Sequence, residues 1–207
     1  MMENQSDGEE TPEVKTEITD FSEEVMTRKV LAINLALSQI IMLLCAAVFI
    51  IAIGGELSWN RFLMVKGGTY PLAGLITGSA ALLSVQLIFE KFVPKEKLED
   101  IINDILVKRF SLAELSLIFF LGALAEELLF RGVIQSLLGI WAASLLFTLI
   151  HYRYWRKPFI MIEVFLMSLV LGYIYKITSL LWISVLCHFI VNFTMAFLSK
   201  RGSFSGE

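Results

Sequence analysis

Six apolar stretches of roughly membrane length, separated by short polar connectors, constrain this chain more than any other feature of it. They run at about 30–53, 70–90, 112–135, 137–152, 159–176 and 180–198. About twenty residues at 1.5 Å each cross a hydrocarbon core of ~30 Å, and a backbone with no water to bond must satisfy itself as helix there. The expected fold is therefore all-α: a polytopic transmembrane helix bundle of about six spans. Composition agrees, since 57% of the 207 residues are hydrophobic and only 18% are charged, against about 25% charged in soluble domains. A net charge of -3, with its acidity mostly in the first 24 residues, gives no electrostatic footprint for nucleic acid.

The connectors organise the rest. Residues 1–27 carry Glu, Asp, Ser and Thr with few large apolar side chains, which reads as an acidic, disordered tail. Residues 28–200 form a single transmembrane domain, and 201–207 a second short tail. A long acidic leader before the first apolar run does not fit a secretory signal, and Leu43-Leu44-Cys45 lacks the small residues of a lipoprotein signal. Trp59, Phe62 and Tyr70 suit an interfacial aromatic belt, and Trp141, Trp155 and Trp182 suit lipid-facing or interfacial anchors. In 91–110 the residues Leu98, Ile101, Ile102, Ile105 and Phe110 recur at helical spacing among charges. That pattern gives an amphipathic helix lying in the interface or, equally, a connector packed on the bundle. Cys45 and Cys187 both sit in apolar runs, where packing is a better reading than a disulfide.

Orientation follows from the cations. With both termini in the cytoplasm, thirteen of the seventeen Lys and Arg residues lie inside, only Arg61, Lys66 and Lys176 outside, and Arg131 within the membrane. The positive-inside rule prefers that arrangement.

Arg131 belongs to AEELLFRG, residues 125–132, where two glutamates and an arginine interrupt an apolar span. An ionisable group at the centre of a membrane helix costs about 2.5–3.5 kcal/mol on insertion scales and marks a functional site by default. Glu127 and Arg131 are four residues apart and can pair along one face, while Glu126 is turned about 100° away toward another neighbour. Both histidines of the chain also lie in apolar segments, each four residues from a companion: Phe147 with His151, and His188 with Asn192. With a turn near 136–138, Glu126, His151 and His188 come to similar depth, within about one helical turn.

A carboxylate, two imidazoles and an amide in a wet intramembrane pocket suit peptide-bond hydrolysis. Glutamate deprotonates water, a histidine shares the proton, and histidine with asparagine stabilises the oxyanion. A second route is open: Glu126, His151 and His188 as three zinc ligands with a vacant fourth position. No His-Glu-x-x-His helix supports it, and asparagine is a poor zinc ligand, so no cofactor is required and zinc stays an alternative. Glu127 and Arg131 read better as a structural ion pair than as reacting groups, and Phe147 as packing.

Taken together, Glu126-Glu127-x-x-x-Arg131, Phe147-x-x-x-His151 and His188-x-x-x-Asn192 resemble, in order, the three motifs of the CPBP family: the CAAX proteases and bacteriocin-processing enzymes, also called Abi. The resemblance covers about 112–198. It implies an intramembrane endopeptidase in which Glu126 activates water with help from His151. His188 and Asn192 would complete the site and bind the oxyanion, supported by Glu127 and Arg131. The family has been described both as metal-dependent and as glutamate-based. Its eukaryotic branch acts on prenylated C-terminal sequences, whereas an acidic tail and small size suit a bacterial plasma-membrane protein acting on a membrane protein or peptide. Two other functions fit the polar cluster, a non-catalytic scaffold or bacteriocin-immunity protein and a proton-coupled transporter. The latter lacks the paired broken helices of transporter repeats.

Overall fold

The computed structural model describes residues 27–53 and 69–202. Trp59, Phe62 and nearly all of both expected tails lie outside those residues. Within them the chain forms α1 (Arg28–Ile53), α2 (Thr69–Phe92), the single turn α3 (Lys95–Leu98), α4 (Ile101–Arg109) and α5 (Leu112–Glu127). A π-helical stretch, Leu128–Ile134, then leads into α6 (Gln135–Ile150), followed by a 3-10 turn at Tyr152–Tyr154, α7 (Pro158–Thr178) and α8 (Leu181–Lys200). No strand occurs among the described residues. The all-α membrane bundle expected from hydropathy is what the chain builds.

Local chemistry sets the boundaries. Ser111 and Glu114 form a reciprocal capping box, the Ser111 hydroxyl accepting from the Glu114 amide and the Glu114 carboxylate accepting from the Ser111 amide. Together they satisfy orphan donors at the start of α5. Asp100 caps α4 by accepting from the Ile102 amide at 3.2 Å, so the expected amphipathic helix is cut into α3 and α4. Pro158 opens α7, where its missing N–H costs nothing, and Ser179 ends it in the left-handed region at φ 55°.

Helix α8 is the hub, packing against α5, α2 and α7, while α6 lies on α7 and α1 on α5. α2 closes on its neighbours at Gly78, where a Cβ would come within 2.5 Å of Ile174 Cδ1 and 2.9 Å of Cys187 Sγ. The apolar side of α4 is not free: Ile105, Leu106, Val107 and Phe110 are buried with Leu31, Leu115 and Ala196. Large apolar side chains such as Ile33, Leu37, Leu44, Val48, Leu145 and Trp141 are instead exposed along the helices. Soluble monomers rarely expose large contiguous apolar patches, and this surface suits lipid contact. Trp155 is exposed as an anchor should be, but Trp182 packs partly buried against the α2–α7–α8 core. Both described cysteines are free, Cys45 exposed and Cys187 buried.

Five helical stretches among the described residues are long and apolar enough to span a bilayer, and 112–150 counts as one of them. That stretch breaks at Gly139 (φ 82°, ψ 173°), one residue beyond the turn expected at 136–138. The returning piece, residues 140–150, is only about 16 Å long, roughly half the hydrocarbon core. The fourth expected span is therefore a half-length helix, and His151 stands at its end. Backbone dihedrals like those of Gly139 are open essentially to glycine alone. A Cβ there would meet no atom within 4 Å, so any cost of substitution is purely conformational. Gly139→Ala should lower stability by about 1–3 kcal/mol, while Gly122→Ala, in regular helix with only Gln39 Nε2 at 3.4 Å, should not destabilise. Thermal unfolding of both variants in detergent checks the contrast.

Candidate active site

Four elements meet around one imidazole. The two glutamates end α5, Arg131 lies in the π-helical stretch, Phe147 sits on α6, and His188 comes from the middle of α8. π-Helical turns inside α-helices occur often at functional sites, and this one begins directly after the Glu126-Glu127 pair.

The ion pair expected from spacing is present: Arg131 Nε lies 3.1 Å from Glu127 Oε2, with side chains 1% and 0% exposed. Arg131 also donates through Nη2 to the Ser168 carbonyl at 3.1 Å and to its hydroxyl at 3.2 Å, tying the site to α7. Its guanidinium carbon stands 5.0 Å from the Phe147 ring centroid, a cation–π contact that is strengthened by desolvation. Nη1 is buried with no hydrogen-bond partner among the described residues, so the stacking and the ion pair carry the charge.

Glu126 does not face a separate neighbour, as the 100° offset suggested. His188 stands between the two glutamates, Nδ1 at 3.0 Å from Glu127 Oε1 and Nε2 at 3.8 Å from Glu126 Oε2. A long side chain from the opposing helix reaches both because α5 and α8 pack closely. As a carboxylate accepts, the proton on Nδ1 is donated to Glu127, and Nε2 is the nitrogen turned toward Glu126. The glutamates thus differ in surroundings. Glu127 is enclosed and held by both Arg131 and His188, whereas the Glu126 side chain is 21% exposed and touches the cluster only at 3.8 Å.

His151 enters differently. It caps the end of α6, where its Nδ1 lies 2.7 Å from the Phe147 carbonyl. A carbonyl only accepts, so Nδ1 carries the proton and Nε2 offers its lone pair. The Phe147 ring, 5% exposed, lies 4.8 Å from the His151 ring and 6.3 Å from that of His188, centroid to centroid. It also packs edge-on against Phe130 at 4.9 Å. Phe147 is packing, as expected, but packing that gathers Arg131 and both histidines around one face-and-edge surface. Asn192 sits half-buried on α8 one turn beyond His188.

No three His, Cys, Asp or Glu side chains among the described residues stand close enough to hold a metal ion. His188 has Nδ1 committed to Glu127, and the His151 ring lies beside that of Phe147.

Four residues escaped the sequence reading. Ser168 has no signal beyond being a hydroxyl in an apolar span. Glu163 is a second buried carboxylate of the membrane, on α7, with Oε1 unpartnered among the described residues; its isolation in an apolar run was legible. Asp100 and Tyr154, the latter stacked on His151, are joined only by folding.

A bundle of membrane-length apolar helices enclosing carboxylates, imidazole and guanidinium in contact defines an integral membrane protein with an intramembrane polar site. Residues 108–194 match the model of the type II CAAX prenyl endopeptidase Rce1-like family, so the motif-bearing part of the chain is similar to that family. The chain is also 38% identical over 95 residues to "Uncharacterized protein YpbD" of Bacillus subtilis (strain 168), covering 46% of this chain and 50% of the relative. The chain thus spans about half the length of the curated relative it matches. No solved structure matches it.

The unequal glutamates give a stability test. Glu127→Ala strands a buried guanidinium and should cost about 3–5 kcal/mol, whereas Glu126→Gln should change stability by less than about 1 kcal/mol. Equal losses in the thermal unfolding of the two variants would contradict the assignment.

Proposed function

We propose that this chain is an intramembrane endopeptidase that hydrolyses a peptide bond with water activated by Glu126. The observation that carries the reading is the inequality of the glutamate pair: one carboxylate locked by Arg131 and His188, the adjacent one accessible. A base must be free to gain and lose a proton, and Glu126 is the carboxylate that can do so without breaking a buried ion pair. In the proposed cycle Glu126 takes a proton from water, and the hydroxide attacks the scissile carbonyl. His151 shares that proton through Nε2, the nitrogen left open when Nδ1 binds the Phe147 carbonyl. The oxyanion is stabilised by His188 and the Asn192 amide, and the proton passes to the leaving amine. Glu127, Arg131 and Phe147 hold the histidines in place.

The substrate class is a membrane protein or membrane-embedded peptide. A bacterial plasma membrane, with both termini cytoplasmic, is supported by the charge bias of the connectors and by the Bacillus relative. Ion pairs and capping contacts of Arg28, Arg153, Lys157 and Lys200 also gather around α3, α4 and the start of α5, as a cytoplasmic basic rim would. No cofactor is needed for these steps.

With the purified full chain and a membrane peptide in proteoliposomes, Glu126→Gln and His151→Ala should each lower kcat by at least about 10²-fold, and Asn192→Ala by about 10²–10³-fold. Unchanged cleavage in the first two would sink the catalytic assignment, and partner binding without any wild-type cleavage would favour a scaffold. Turnover should survive exhaustive chelation, checked by elemental analysis for zinc. Stoichiometric zinc whose removal abolishes activity would overturn the metal-free cycle.

A further inference from the structure

The loop that follows His151 is held by a part of the chain some fifty residues earlier, outside the membrane helices. Tyr154 is 9% exposed, and its ring lies parallel to the His151 imidazole, 6° between planes and 6.3 Å between centroids. Its hydroxyl donates to Asp100 Oδ2 at 2.5 Å, and the same oxygen accepts from Arg153 Nη2 at 2.5 Å. Burial first, and then the Asp100 carboxylate, hold the Tyr154 phenol above its usual range, so it stays a donor. The other carboxylate oxygen of Asp100 caps α4. Backbone bonds complete the enclosure, from the Tyr154 amide to the His151 carbonyl at 2.9 Å and from the Lys157 amide to the Tyr154 carbonyl at 2.7 Å. Lys157 also donates to the Glu99 carbonyl.

These contacts do something the bundle by itself does not. His151 ends a half-length helix, and its ring lies against that of Phe147 from the same helix. Asp100 supplies a second support, and α4 carries it on to the end of α8, where Lys200 donates to the Val107 carbonyl at 2.8 Å. The helix that carries His188 and the loop that carries His151 are thereby braced by one external segment.

We infer that Asp100 and Tyr154 are positioning residues for His151, the segment between α3 and α4 acting as an external brace on that ring. This rests on the proteolytic reading above. Neither residue touches the reacting atoms. Their effect is on the geometry of a proton-transfer group, where small displacements are costly in rate.

Tyr154→Phe keeps the ring and removes only the hydroxyl, and Asp100→Ala removes its acceptor. Each should lower kcat on a membrane peptide about tenfold with KM nearly unchanged. Asp100→Asn, whose single side-chain oxygen can accept from the phenol or cap α4 but not both, should restore only part of the rate. In parallel, 15N-histidine spectra of the full chain in nanodiscs, assigned with His151→Gln, should show the His151 ring resonances displaced in Tyr154→Phe and Asp100→Ala and those of His188 in place. Unmoved His151 resonances, an unchanged kcat, or His188 moving as far as His151 would each overturn the brace. The spectra need no turnover, so an inactive wild type would count against proteolysis while the test of the brace stayed readable.

Discussion

A guanidinium enclosed in a lipid-embedded bundle is the constraint on which the rest of the structure depends. Arg131 has no route to water, so its charge must be matched within the protein by geometry good enough to offset desolvation. Four contacts from three elements do this: the Glu127 carboxylate one turn earlier, two oxygens of Ser168 on α7 and the face of Phe147 on α6. Each fixes a helix relative to the others. The arrangement then leaves Glu127 with one oxygen for His188, so the same pair that neutralises the arginine also orients an imidazole from the central helix. Stability and chemistry share these atoms, and Glu126 is the adjacent carboxylate that this scheme leaves available.

The break at Gly139 has a comparable reach. A continuous helix over 112–150 would carry Phe147 and His151 away from the arginine. Reversing the chain at a residue that tolerates φ 82° folds the second piece back along α7, and its shortness brings the helix end, not a helix face, toward the site. A histidine at a helix end can donate Nδ1–H to an unsatisfied carbonyl of its own last turn. That bond selects the tautomer with Nε2 open, the form a proton-sharing group needs.

Outside the membrane helices, α3 and α4 make a small layer that is polar toward the loops and apolar toward the bundle. Its buried face joins α1, α5 and α8, while Asp100 at its bend reaches Arg153 and Tyr154. A segment whose pattern suits an interfacial helix and a packed connector equally is thus the structural link between the two histidine-bearing parts of the chain.

The sequence by itself determined the solvent and the ingredients. Runs of membrane length permit only helices, the i, i+4 spacing of Glu127 and Arg131 is enough to pair them, and three short motifs carried the family resemblance. Those features are local, set by hydrogen-bond closure within a segment or by the helical repeat. What only the tertiary structure decided concerns contacts between helices: that His188 bridges both glutamates, that Phe147 is shared by the arginine and both histidines, and that Asp100 meets Tyr154. The 100° offset between Glu126 and Glu127 correctly separates their directions on one helix. It cannot say that a ring from α8 is long enough, and packed closely enough, to meet both, because that depends on the distance between helix axes and not on any periodicity along the chain.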